Sequence, residues 1–312
     1  MRIVETLQDL NLDHAAVAVG NFDGVHRGHH RVLTRLQACA AQDGRPSAVV
    51  TFFPPAKVLF SGVPFLASPE EKALLLAGYG IDALVMIPFG HTYASQPPEA
   101  FVSALTDWQP SVLLVGEDFR FGKDRTGGLD DLQHAANRLE VVRLRSMNGE
   151  VISSSRIRAA LADGRVDEAT QLLGHPYLLT GTVIEGDRRG RTLNYPTANL
   201  QVDADKALPV GVFAVTADVD GVTHRGMANV GTRPTVDAAT RTVEVHLFDT
   251  DQDLYDRTLS VAFHHRLRTQ VRFDSLEALK AQLQDDEAAA RSALRGAAYD
   301  RFDVAIHETE TQ

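Results

Sequence analysis

The chain has one cysteine, Cys39, in 312 residues. No intrachain disulfide can form, so the fold must rest on burial rather than cross-links. No Cys/His spacing suits a structural zinc. No stretch is apolar and long enough to span a bilayer. Met1 to Leu10, with charges at Arg2, Glu5 and Asp9, has no apolar segment of the kind a secretory leader needs. Basic charge is in deficit: 31 Lys+Arg against 41 Asp+Glu give a formal net charge of −10. General nucleic-acid binding depends on neutralising phosphates and is disfavoured. Neither a Gly-Lys-Ser/Thr P-loop nor a Gly-x-Gly-x-x-Gly fingerprint is present. A soluble cytoplasmic enzyme with no nucleic-acid or membrane partner fits these absences. The length predicts about two domains.

The most informative segment is Gly20-Asn21-Phe22-Asp23-Gly24-Val25-His26-Arg27-Gly28-His29. It follows an apolar run, Ala15 to Val19, that reads as a buried strand, and it opens a helix with Val32, Leu33, Leu36 and Ala40 on one face. A glycine-rich turn between strand and helix aims backbone N–H groups and the positive end of the helix dipole at one spot. Gly20, Gly24 and Gly28 allow close approach of a phosphate. His26 and His29 add ring donors that can follow developing phosphoryl charge. An ordinary turn with surface histidines is the plainer alternative, but two histidines in His-x-Gly-His after Phe-Asp-Gly favour a nucleotide phosphate site.

An acidic protein that handles a polyanion must concentrate positive charge locally. Two clusters do so: Arg120, Lys123 and Arg125, then Arg188, Arg189 and Arg191. Both adjoin glycine-rich loops.

The first half alternates apolar runs with amphipathic segments. Strands are predicted at 48–53, 83–87, 112–115 and 141–144, and helices at 69–76, 99–105 and 129–139. This rhythm implies a parallel sheet with helices on both faces. Ligands there sit beyond the carboxyl ends of the strands, so the loops after Val19, Phe53 and Val115 should line one crevice. A serine-capped helix from Ile152-Ser153-Ser154-Ser155 to Leu161 follows, then another over 166–173.

From about Leu178 helical periodicity gives way to short strands at 179–184, 213–219, 222–229, 243–248 and 259–263. Asp220-Gly221 is a hairpin signal, and the series suggests a small closed barrel. A final helix from Ser275 carries Leu276, Leu279 and Leu283. The loop Gly186 to Arg191 could wrap a polyphosphate. Pro196-Thr197-Ala198-Asn199 offers hard oxygen ligands suited to Mg²⁺. Glu244, an acid within an apolar strand, faces away from Val243 and Val245 and could take a proton from a substrate hydroxyl. Taken alone, it reads first as a solvent-facing strand residue rather than a base.

Gly-Asn-Phe-Asp-Gly-Val-His-Arg-Gly-His resembles the nucleotidylyltransferase signature of prokaryotic FAD synthetases. Ile152-Ser153-Ser154-Ser155-Arg156-Ile157-Arg158 is similar to the second motif of that superfamily. Pro196-Thr197-Ala198-Asn199, Asn229-Val230-Gly231-Thr232-Arg233-Pro234-Thr235, Glu244-Val245-His246 and Leu254-Tyr255 resemble the riboflavin kinase module. Together these resemble the bifunctional riboflavin kinase/FMN adenylyltransferase family over nearly the whole chain.

The resemblance implies an α/β plus mainly β fold: a nucleotidylyltransferase-type doubly wound parallel sheet in residues 1–177, and a riboflavin kinase β-barrel with a terminal helix in 178–312. It implies riboflavin, FMN and ATP as substrates, FAD, ADP and pyrophosphate as products, and Mg²⁺ as cofactor. Glu244, His26 and His29 would be catalytic. Gly20, Phe22, Asp23, Gly24, Gly28, Asp118, Ser153, Ser154 and Arg158 would bind nucleotide in the first half. Gly186, Arg191, Thr197 and Asn199 would do so in the second, with Thr197 and Asn199 on Mg²⁺ and Arg268 near the flavin. Phe53, Pro55, Asn194, Asp256 and Gln270 depart from the family pattern. A kinase without adenylyltransferase activity and a non-catalytic flavin-binding regulator are the alternatives.

Overall fold

The computed structural model describes residues 1–312 apart from 10, 11, 13, 144, 187–194, 235–238 and 296–312. The chain folds as two compact units, Met1–Ser154 and Ser155–Gln312.

The first unit is a six-stranded parallel sheet: β1 (Arg2–Val4), β2 (Ala16–Val19), β3 (Ser47–Phe53), β4 (Ala83–Pro88), β5 (Val112–Gly116) and β6 (Leu139–Val142). Their order in the sheet is β1-β4-β3-β2-β5-β6. Every residue of β2 is buried and β3 is buried over its first six, as a sheet covered on both faces requires. After β4 the chain crosses back to the other side of β2. The order therefore reverses between β2 and β5, and ligands bind beyond the strand ends at such a switch point. Helix α1 (Arg27–Asp43) follows β2 and buries Val32, Leu33, Leu36, Cys39 and Ala40. Helices α2 (Ala56–Ser61) and α3 (Pro69–Ala77) join β3 to β4. Helices α4 (His91–Ala94) and α5 (Pro98–Trp108) join β4 to β5.

The helix expected over 129–139 does not form. Only one 3-10 turn, Asp130–Leu132, is present, and the chain then enters edge strand β6. The Asp131 carboxylate accepts from the Gly128 N–H at 2.8 Å, and the Asn137 N–H donates to the Pro110 carbonyl at 3.1 Å. Burying Leu132 and Ala135 needs no longer helix than this, and the short polar residues favour side-chain-to-backbone bonds over continuation. Strand β1, the short helices α2 and α4 and a two-stranded hairpin, β7 (Ser146–Met147) with β8 (Glu150–Val151), carry too little periodicity to be read from sequence.

Helix α6 (Ser154–Ala162) starts at the end of the first unit. Helix α7 (Val166–Leu173) buries Val166, Ala169, Leu172 and Leu173 and packs on the second unit's sheet. That sheet is a closed antiparallel barrel, in the order β10-β13-β12-β11-β14-β9. Its strands are β9 (Tyr177–Ile184), β10 (Ala198–Gln201), β11 (Gly211–Val219), β12 (Val222–Pro234), β13 (Ala239–Leu247) and β14 (Thr258–Arg268). Strand β10 closes the barrel by pairing with both β9 and β13. Asp220 and Gly221, at φ of 54° and 82°, make the expected two-residue hairpin between β11 and β12.

The last helix, α8 (Leu276–Ala293), is capped by Ser275, whose hydroxyl accepts from the Ala278 N–H. Of the expected leucine stripe, Leu283 packs on the core and Leu279 is half-buried, while Leu276 falls outside the packed face. Leu276 is 65% exposed, whereas Asp286 and Ala290 are buried. An ion pair draws the helix down: the Arg268 guanidinium, from β14, binds the Asp286 carboxylate at 2.7–3.0 Å. Ala290 and the C-cap residue Leu294 pack with Tyr195, Ala214, Met227 and Phe248.

Candidate functional site

The turn after β2 is tightly folded. Phe22, Gly24 and Val25 all have positive φ, 43°, 80° and 42°. Side chains bearing a Cβ reach that region only at a conformational cost, as at functional sites. The Phe22 and Asp23 side chains point inward and are buried. The Phe22 ring supports the turn: a Cβ at Gly20 would lie 3.1 Å from it. Asp23 Oδ1 accepts from the Leu66 and Ala67 N–H groups at 2.8 and 3.2 Å. Both side chains therefore shape the turn from within.

His26 and His29 are brought face to face, with ring centroids 3.6 Å apart and planes 14° from parallel. A Cβ at Gly28 would lie 3.0 Å from the His26 ring, which explains the glycine between the two histidines. His29 is held well below the ordinary histidine pKa, first by burial and then by the neighbouring charges of His26, His30 and Lys72. It is neutral at neutral pH. Its Nδ1 accepts from the His26 N–H at 3.2 Å, which leaves the proton on Nε2. His29 thus offers one neutral N–H donor rather than a cation. Ser154 closes the first unit and donates to the Asp23 carbonyl at 3.1 Å, which fixes the residue to the turn. Ser153 precedes it, half-buried, while Arg158 lies further along α6, within the second unit. Asp118, exposed after β5, folds its carboxylate back over Gly116.

In the barrel, Asn199 of β10 pairs in register with Glu244 of β13, and Glu244 pairs with Asn229 of β12. Residues directly opposite on antiparallel strands share a face, so the three form a polar row. Val243, Val245, Ala228 and Val230, on the alternate positions, are buried inside the barrel. Glu244 is half-buried on the outer face, as strand alternation predicts. Gln270 donates to Asn229 Oδ1 at 2.8 Å, which turns the Asn229 amide group toward Glu244 Oε2 at a long 3.4 Å.

A Cβ at Gly186 would overlap the Asn199 carboxamide, so this glycine is a cradle for that side chain. Thr197 is exposed just before β10. Pro196 and Tyr195 are fixed from α8 and β13: His246 Nδ1 lies 2.7 Å from the Pro196 carbonyl, and the Tyr195 hydroxyl donates to Glu287 at 3.0 Å. Arg191 and its arginine neighbours lie outside the described residues. Arg268 commits its guanidinium to Asp286 and to the Thr269 carbonyl.

Sequence reasoning gave no role to Asn229, Gln270 or Lys72. The last has a visible signal, an ionisable residue on the face of α3 that also carries Leu75 and Leu76. It missed β10 as well, because four residues are too few to show alternation.

A doubly wound sheet with a glycine-and-histidine turn at its switch point, joined to a barrel with an Asn/Glu/Asn row, defines a transferase of nucleotide phosphates. The FAD synthetase family model matches residues 9–156 and the riboflavin kinase model residues 173–294. A bifunctional riboflavin kinase/FMN adenylyltransferase of Pseudomonas fluorescens is 39% identical over 303 residues, covering 94% of this chain and 97% of that one. Its counterpart in Listeria monocytogenes is 37% identical over 286 residues, covering 88% and 91%. A crystal structure described as a macrolide-efflux protein from Streptococcus pneumoniae superposes with a TM-score of 0.82 at 32% identity, covering 93% of this chain and 98% of that one. Among the described residues here, no helix is long and apolar enough to cross a membrane. The chain belongs to the bifunctional riboflavin kinase/FMN adenylyltransferase family of bacteria.

Proposed function

We propose that the chain phosphorylates riboflavin to FMN in its barrel and then adenylylates FMN to FAD at the His26–His29 turn. The observation that carries this reading is that each unit has its own constellation for phosphate chemistry: the stacked histidine pair in one, the Asn199–Glu244–Asn229 row in the other. We assign the adenylyltransferase to residues 1–177 and the kinase to 178–312, although α6 and α7 fold with the barrel unit.

For FMN formation, Glu244 takes the proton of the riboflavin 5′-hydroxyl as that oxygen attacks the γ-phosphorus of ATP, and ADP leaves. The Asn229 amide and the strand register orient the carboxylate. Thr197 and Asn199 are hard oxygen donors, and the Gly186 cradle leaves the Asn199 carboxamide room to serve as one. They fit Mg²⁺, which takes few protein ligands and completes its shell with water and nucleotide phosphates. When bound, Mg²⁺ would neutralise phosphate charge. Gly186 and Arg191 would close over the nucleotide.

For FAD formation, an FMN phosphate oxygen attacks the α-phosphorus of a second ATP, and pyrophosphate leaves with the bonding pair. That nucleophile is already ionised and needs no base. The turn supplies positioning and charge stabilisation through His29 Nε2–H, His26 and the backbone from Gly20 to Gly28. Ser153, Ser154 and Arg158 hold the triphosphate, and Asp118 contacts nucleotide or flavin. We place the enzyme in the cytoplasm, which supplies its ATP.

Incubation with riboflavin, ATP and Mg²⁺, followed by chromatographic separation of flavins, tests the reading. Sequential appearance of FMN and FAD is expected. FMN alone would leave only the kinase, and neither product would indicate a flavin-binding regulator.

A further inference from the structure

Helix α3 holds a lysine that no step above uses. Lys72 has 0% of its surface exposed. Its ammonium donates to the Asn21 carbonyl at 2.9 Å, the Phe52 carbonyl at 3.1 Å and Thr51 Oγ1 at 3.2 Å. Three donors meet three acceptors. Thr51 Oγ1 in turn donates to the Asn21 carbonyl at 2.9 Å. Asn21 lies in the phosphate turn after β2, and Phe52 lies near the carboxyl end of β3. The lysine therefore joins the two strand ends that border the turn.

The segment carrying Lys72 is itself fixed to that turn. Leu66 and Ala67 donate their N–H groups to the buried Asp23 carboxylate. Ser68 and Glu71 then form a reciprocal cap at the start of α3: the Ser68 N–H donates to Glu71 at 2.9 Å and the Glu71 N–H to Ser68 Oγ at 3.2 Å. Residues 66–72 thus hold the turn at both Asn21 and Asp23. An apolar side chain would fill the same space without the cost of desolvating a charge. Beyond pairing these three acceptors, the lysine provides a cation beneath a turn built to receive phosphates.

We propose that Lys72 is a positioning residue for adenylyl transfer, clamping the ends of β2 and β3 and fixing positive charge under the His26–His29 turn. The proposal rests on the adenylyltransferase reading above. The charged and titratable groups that act on this ammonium are Asp23, whose carboxylate favours the charge, and His29 on α1, whose pKa the ammonium lowers. Burial lowers the Lys72 pKa to about 8, with Asp23 acting in the opposite sense. The ammonium is therefore charged at neutral pH and loses its proton on mild alkalinisation, well before an exposed lysine would.

The test uses the full chain, with Lys72→Met and Lys72→Arg, and measures FAD formation from FMN and ATP between pH 6 and 10. FMN formation from riboflavin, measured on the same samples, reports the barrel. Lys72→Met is expected to lower kcat for FAD formation about a hundredfold, the scale of losing one preorganised electrostatic group. KM for ATP and FMN should move only a few-fold and FMN formation should be unchanged. Wild-type FAD formation should decline above pH 8 relative to FMN formation, and Lys72→Arg, which keeps its charge, should restore activity and abolish that decline. Lys72→Met with wild-type kcat, or an alkaline decline unchanged in Lys72→Arg, would overturn the proposal. If Lys72→Met loses the proteolytic resistance of its first unit, the alkaline profile of wild type against Lys72→Arg decides. Wild-type protein that makes no FAD at any pH would instead overturn the adenylyltransferase reading on which the proposal depends.

Discussion

Two side chains carry opposite demands on protonation. His29 is kept neutral by burial and by neighbouring positive charge. It can donate through Nε2 without a counter-ion while pyrophosphate departs. Replacing it with Ala removes that donor, at an expected cost of ~2–4 kcal/mol in transition-state stabilisation. FAD formation should fall accordingly in steady-state assays, with FMN formation intact. In the proposed kinase step Glu244 has the reverse task, accepting a proton. Glu244→Gln preserves its size and its place beside Asn199 and Asn229 but removes the basic oxygen. Kinase turnover should fall by about a hundredfold or more, whereas equilibrium binding of riboflavin should change little. Supplied with FMN directly, the same variant should make FAD at the wild-type rate. Normal FMN production by Glu244→Gln would return this residue to a polar position on a barrel strand.

At the scale of elements, α8 is held to the barrel by charge as much as by apolar contact. Asp286, 3% exposed, receives three bonds from Arg268 and a fourth from Gln282 at 2.9 Å. Asp286→Ala would leave the part-buried guanidinium without its main partner. The expected loss is toward the lower end of ~3–5 kcal/mol, since Arg268 keeps some access to water. Urea denaturation of the purified protein measures it. Strand β14 carries a second titratable point. His264, buried against the Thr216 hydroxyl at 2.9 Å, has its pKa lowered to about 4 by burial and by the charge of His265. Between pH 6.5 and 4 the unfolded chain binds a proton that the folded barrel refuses. Stability should therefore fall as pH drops through that window, by roughly 3 kcal/mol at most. A His264→Leu variant should show a flatter stability profile over the same range. An equal slope in both would place the acid sensitivity elsewhere.

At the scale of the whole chain, sequence motifs and packing draw different boundaries. The kinase motifs begin after Leu178, but α7 packs on β9 and β14 through Val166, Ala169, Leu172 and Leu173. The loop between α6 and α7 also meets the barrel: Arg266 donates to the Asp163 carbonyl at 3.1 Å, and a Cβ at Gly164 would strike the Val210 carbonyl. A fragment starting at Leu178 loses this cover and Tyr177, whose hydroxyl bonds the Ala207 carbonyl. We expect a fragment from Ser155 onward to fold and make FMN, and one from Leu178 to be less stable, both making no FAD. Equal melting temperatures for the two fragments would show that α6 and α7 add nothing to the barrel.

Local pattern in the sequence determined the alternating first half, the barrel strands longer than five residues, the Asp220-Gly221 turn and the His-x-Gly-His turn. Each is legible because periodicity, glycine placement and turn chemistry act over a few neighbouring residues. The sequence also placed Glu244 on the face opposite Val243 and Val245, since strand alternation is strictly local. Tertiary structure alone decided what meets across the chain. Asn199 stands beside Glu244, and Glu244 beside Asn229, only because β10, β13 and β12 pair in that register. The predicted helix at 129–139 gave way to a single 3-10 turn ahead of an edge strand, and α8 adds to Leu283 a contact pinned by Arg268. The charge of Lys72, costly in isolation, finds its acceptors at the ends of two strands about 20 and 50 residues distant in the chain. No window of sequence records such pairings, because their free energy depends on which distant groups the folded chain brings within hydrogen-bond reach.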